Sequence, residues 1–150
     1  MEQIVVTDRI RSMTENLAHM SDHHMRVGAI IVKGRRIIAG GFNKSKTHTV
    51  IRNKIDKFSL VDKLHAEMNA ILKARTDLEG AKMYVLRVCI NNKHLPRRLT
   101  GRPRGRNLGD TGMSRPCNLC MNLIRNSGIK EIIYTTGNPL EPWVKERIYD

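Results

Sequence analysis

Cysteine is scarce in this chain of 150 residues: Cys89, Cys117 and Cys120 leave no room for a disulfide framework, which agrees with a reducing compartment. Acidic residues are also few, 14 Asp and Glu against 27 Lys and Arg, giving a formal net charge of +13 and a pI of about 10.2. Such an excess favours a phosphorylated or polyanionic partner without separating nucleotide from nucleic acid. No apolar run approaches the roughly 20 residues a membrane span needs, and the start, MEQIVVTDRIRSM, lacks the uninterrupted apolar core of a signal peptide. We therefore expect a cytoplasmic protein with no membrane partner. No internal repeat is visible, and 1–150 fits one domain with a single core.

Two stretches carry the chemistry: Leu64-His65-Ala66-Glu67-Met68-Asn69 and Arg115-Pro116-Cys117-Asn118-Leu119-Cys120. His65, Cys117 and Cys120 offer one imidazole and two thiolates, which suit tetrahedral Zn2+ but fill three of its four positions. The fourth is left for water, made much more acidic than bulk water by the ion. Glu67, two residues after His65, is placed to take that proton without ligating the metal. Pro116 belongs just before or at the first turn of a helix, where its missing N–H is harmless. Cys117 and Cys120 then share one helical face, and the helix start favours their thiolate forms.

Either stretch alone would be weak. A lone His-x-Glu is common on helices, and a lone C-x-x-C can be a redox pair or half of a structural zinc site. A structural site normally takes a fourth Cys or His. The remaining cysteine, Cys89, sits in an apolar run and reads as a packed, inert thiol.

Along the chain, Ile10, Met13, Leu17 and Met20 recur at helical spacing over 7–21, with Thr7 or Asp8 as cap. His23 and His24 at its end read as a solvated pair. VGAIIVK (27–33) and RIIAGG (36–41), parted by Gly34-Arg35, predict a β-hairpin. A polar, basic loop runs to Lys63, a helix starts at His65, and strands follow at 81–90 and 130–136, with the tail adding a strand or helix. Between the third strand and Pro116 lies an arginine-rich loop, with Arg97, Arg98, Arg102, Arg104 and Arg106 and no interleaved aromatic. It reads either as a solvated excursion or as a contact to phosphate or nucleic acid, and the lack of aromatics weakens the case for a base-stacking platform.

In LHAEMNAIL and PCNLCMNLIRNSGIKEIIY the chain resembles the cytidine and deoxycytidylate deaminase superfamily, most closely its deoxycytidylate branch, from about Val27 to Thr136. The resemblance implies an α/β fold, a three-layer α/β/α sandwich around a mixed sheet of about five strands, and a homo-oligomer. It implies His65, Cys117 and Cys120 as zinc ligands, Glu67 as proton shuttle, Asn43 at the substrate sugar and the Ala66 N–H at the pyrimidine. Arg26, Lys44 and Arg115 are candidate substrate contacts. The implied reaction is hydrolysis of dCMP to dUMP and ammonia by zinc-bound hydroxide. Two rivals stay open: a cytosine deaminase acting on single-stranded DNA or RNA, and a non-catalytic zinc-stabilised nucleic-acid-binding module. Glu67 distinguishes the last, since a structural site has no use for it.

Overall fold

A computed structural model describes residues 4–21, 25–44, 65–88, 111–138 and 140–148. The expected hairpin is β1 (Arg26–Lys33) and β2 (Arg36–Phe42), paired antiparallel across a two-residue turn. Gly34 takes φ 63° there, a conformation most side chains resist. The register shifts between Ile31 and Val32, a bulge that alternation does not reveal. Strand β3 (Lys82–Val88) lies antiparallel to β1 on its other side. Thus β2 and β3 run the same way, and the connection between them carries α2 (Ala66–Lys73).

Two-residue β4 (Thr111–Gly112) pairs with the end of β3, and α3 (Asn118–Asn126) leads to β5 (Glu131–Thr135), parallel to β3. Part of the tail is β6 (Trp143–Arg147), antiparallel to β5. The sheet order is β2-β1-β3-β5-β6, with β4 against β3. This is the mixed sheet expected from the sequence, with β4 added.

Side chains alternate across the sheet, and the helices divide accordingly. Ala29 and Ile31 of β1, Met83 and Val85 of β3, and Ile132 and Tyr134 of β5 join Ala66 and Ala70 of α2 and Ile124 of α3 in one buried cluster. Leu86 and Val88 point the other way, towards Ala18 of α1 (Asp8–His19), which Thr7 caps by accepting the Ile10 N–H. Glycines permit the close approach on both faces. A Cβ on Gly41 would stand 2.6 Å from Ala70 N and 2.9 Å from Ala66 O of α2, and one on Gly28 would press into the Thr14 carbonyl of α1. The result is α1, sheet, then α2 and α3: a three-layer α/β/α sandwich.

Among the described residues no helix is long and apolar enough to cross a membrane. The predicted arginine-rich loop at 97–106, the Cys89 thiol, His23 and His24, and the predicted basic loop at 45–63 lie outside the described residues.

Candidate metal centre

Helices α2 and α3 both begin at the same end of the sheet, and each begins on a candidate ligand. His65 is the N-cap of α2, with φ −75° and ψ 153°; Cys117 is the N-cap of α3, with φ −69° and ψ 169°. Neither side chain caps its own helix; His65 Nδ1 instead approaches the sulfurs of Cys117 and Cys120. Cys120 lies one turn into α3, fully buried. The predicted helix start after Pro116 is therefore correct, and Cys117 sits at its threshold.

Three ligand atoms converge. His65 Nδ1 lies 3.2 Å from Cys120 Sγ and 3.8 Å from Cys117 Sγ, and all three atoms fall within 4.8 Å of one another. With Zn–S near 2.3 Å and Zn–N near 2.0–2.1 Å, donors around a tetrahedral ion stand about 3.5–3.8 Å apart, so this set fits zinc. It is the one such group among the described residues. Three protein donors leave one coordination position open.

The two thiols differ in ionisation. Cys117 is lowered to about 3, first by its hydrogen bond with Cys120 and then by that with His65. Cys120 is pushed up, first by the hydrogen bond with Cys117 and then by burial. One negative charge is thus shared by the pair, and a divalent cation among the donors would strip the second proton as well. The positive ends of two helix dipoles meet here and favour that charge.

Glu67, in the first turn of α2, is 5% exposed. Burial pushes its carboxyl above the ordinary carboxylate range, while a hydrogen bond with Cys120 and the charge of His65 pull it back. A carboxyl beside the metal ligands that is readier than usual to hold a proton suits a group that must accept and release one. Ala66, buried at the start of α2, contributes a main-chain N–H of the first turn, which has no partner within its helix.

The other predicted site residues are placed less centrally. The Asn43 side chain accepts from the Val27 N–H at 2.9 Å and donates to the Met25 carbonyl, so its amide ties the end of β2 to the start of β1. Arg26 follows the parity of Gly28 towards α1, donating to the His19 carbonyl at 3.3 Å, and its buried Nε has no hydrogen-bond partner among the described residues. Arg115 is engaged with β6: its Nε and Nη2 donate to the two Glu146 carboxylate oxygens at 2.7 and 3.2 Å. Lys44 Nζ stands 5.3 Å from the centroid of the Phe42 ring, which Lys73 Nζ also approaches, at 5.6 Å. The metal trio and Glu67 come together; Arg26 is turned to the opposite face.

Sequence reasoning did not single out Ser114, Thr135, Tyr134 or Glu146. Ser114 and Thr135 form a buried hydroxyl pair, their oxygens 2.8 Å apart. Their signal in the sequence is slight: a threonine closing the apolar run Ile132-Ile133-Tyr134, and a serine three residues before Cys117.

Residues 7–136 match the cytidine and deoxycytidylate deaminase zinc-binding region, and the chain belongs to that family. It is 31% identical over 125 residues to a deoxycytidylate deaminase of Pongo abelii, a match covering 75% of this chain and 54% of that protein. The chain spans about half the length of the curated relatives it matches. Among solved structures it shares the fold of a dCMP deaminase from the cyanophage S-TIM5, in complex with dCMP and dUMP, at TM-score 0.52, 20% identity and coverage of 88% and 85% of the two chains. It likewise shares the fold of a cytidine deaminase from Burkholderia pseudomallei, at TM-score 0.55, 12% identity and coverage of 96% and 94%.

Proposed function

We propose that this member of the cytidine and deoxycytidylate deaminase family hydrolyses the exocyclic amine of a cytosine nucleotide, converting dCMP to dUMP and ammonia. The observation that carries the reading is the juxtaposition of a three-donor metal group with the buried, non-ligating carboxyl of Glu67. A binding module held together by zinc has no need of that carboxyl. The kinship with a deoxycytidylate deaminase supports the choice of dCMP.

In this reading His65 Nδ1, Cys117 Sγ and Cys120 Sγ hold zinc. When bound, the ion supplies Lewis acidity and makes water a nucleophile near neutral pH. The Glu67 carboxylate would take a proton from the attacking water, deliver it to N3 of the cytosine, and then carry the proton of the new C4 hydroxyl to the departing amine. Water adds across the N3=C4 bond, the bond from C4 to the exocyclic amine breaks as the C4 carbonyl forms, and the atoms balance as dUMP plus ammonia. The Ala66 N–H is offered to the pyrimidine as the base enters between the two helix starts. Asn43 is the candidate at the sugar, holding its loop through Met25 and Val27.

A second reading, deamination of cytosine in a single strand, is favoured by the charge of +13. The test is a panel of dCMP, CMP, deoxycytidine and a cytosine-bearing single strand, read as ammonia or uracil formation at two salt concentrations. We expect turnover of dCMP ahead of the rest, little changed when Arg102, Arg104 and Arg106 are replaced by Ala. Efficient action on the strand alone, weakening with a log-log salt slope near −0.7 per phosphate contact, would transfer the assignment to the polynucleotide.

A further inference from the structure

The residues between β4 and α3, Met113 to Cys117, have no regular secondary structure of their own, yet they must deliver one metal ligand to another carried by a different helix. A ligand at the end of an irregular segment needs an external reference. The hydrogen bonds show what supplies it. Ser114 N–H donates to the Thr135 carbonyl at 2.9 Å, and Ser114 Oγ accepts the Thr135 N–H at 2.9 Å. The same Oγ lies 2.9 Å from the Val85 carbonyl of β3. Thr135 Oγ1 donates to the Gly112 carbonyl at 2.6 Å and accepts the Arg87 N–H at 3.2 Å. Met113 pairs with Thr136 beside them.

Two buried hydroxyls thus tie β3, β4 and β5 into one knot, three positions before Cys117. Ordinary ladder pairing would not need them. The opposing ligand is referenced to the same sheet by other means: Asn69 of α2 donates from its amide to the Phe42 carbonyl at 3.0 Å, and Gly41 lets α2 settle on β2. We propose that Ser114, acting through Thr135, is a positioning residue that holds Cys117 at ligating distance from His65; the proposal rests on the metal-site reading above. Neither residue belongs to the three-donor group of His65, Cys117 and Cys120. Their effect is to fix where the Cys117 main chain leaves the sheet.

The test uses the full chain and two probes, zinc by chelator competition and cobalt by its visible absorption, each measured well below the unfolding temperature of every variant. Ser114→Ala and Thr135→Val remove one hydroxyl each, Thr135→Ser retains it, and Ile30→Val serves as a core control on the α1 face. We expect the first two to bind zinc at least about 10-fold more weakly, as partners outside the ligand set commonly do, with an altered cobalt spectrum. Thr135→Ser and Ile30→Val should keep the parent's affinity and spectrum, even where they lower the unfolding temperature. Folded Ser114→Ala and Thr135→Val proteins with the parent's affinity and spectrum would overturn the proposal, as would failure of both to fold, which would make the pair a folding element. A parent that binds neither ion overturns the metal-site reading and the proposal with it.

Discussion

Cys120 Sγ stands 3.2 Å from His65 Nδ1, although the two residues are 55 positions apart in the chain. That separation is closed by two helices whose N-termini face each other at one end of the sheet. We expect the purified protein to carry about one zinc per chain, and His65→Ala or Cys120→Ala to lose it. Metal analysis of each protein after gel filtration checks this; a folded, active parent without zinc would remove the site from the account.

Glu67 neighbours the metal group without belonging to it. Glu67→Gln should therefore keep zinc and fold, and lose turnover by the roughly 10²–10⁴-fold typical of a general acid-base group. Steady-state kinetics alongside zinc content separate the two effects. Unchanged turnover would leave the proton steps without their carrier.

The Arg115–Glu146 pair links the residue two before Cys117 to β6 through two parallel hydrogen bonds. Arg115 holds the Glu146 carboxyl below its ordinary value of 4.5. A depressed carboxylate stabilises the fold above its unfolded pKa, and that stability is lost as pH falls through the folded value. With side chains 43% and 33% exposed, the pair is worth roughly 0.2–1 kcal/mol. Glu146→Gln should be slightly less stable than the parent at pH 7, and the difference should shrink as pH drops below about 4.5, in urea titrations compared across pH. A constant difference down to pH 3 would remove the ionised pair as its cause.

The hairpin, the first helix, the buried third and fifth strands and the metal ligands were legible because each is written locally. Short apolar runs mark β1 and β3, helical spacing marks α1, and the ligands come as short motifs. What was not legible depends on contacts made after folding. Arg115 is a candidate substrate contact by sequence, and its pairing with Glu146, 31 positions away, could not be read there. The resemblance implies Asn43 at the substrate sugar, and the hydrogen bonds its amide makes to the main chain of Met25 and Val27 are a further feature that no local pattern shows. Two-residue β4 is too short for any period to show, and Ser114 and Thr135 become a pair only once β4 and β5 are in register.

Gly40 and Gly41 are consecutive in β2 and face opposite layers, so they test which helix the site depends on. An added Cβ at Gly40 would meet the end of a flexible side chain, Leu17 Cδ1, at 2.7 Å. At Gly41 it would meet main-chain atoms of α2, Ala70 N at 2.6 Å and Ala66 O at 2.9 Å, which cannot turn aside. Gly41→Ala must therefore lift α2 from the sheet, and with it His65 and Glu67, at the roughly 1–3 kcal/mol typical of overpacking. Gly40→Ala should cost less, because Leu17 can change rotamer, and should leave zinc affinity at the parent's level. We expect Gly41→Ala to lower both the unfolding midpoint and the affinity for zinc. Equal losses in the two variants would mean that α2 is not held to the sheet through Gly41, and that the position of His65 is set from elsewhere.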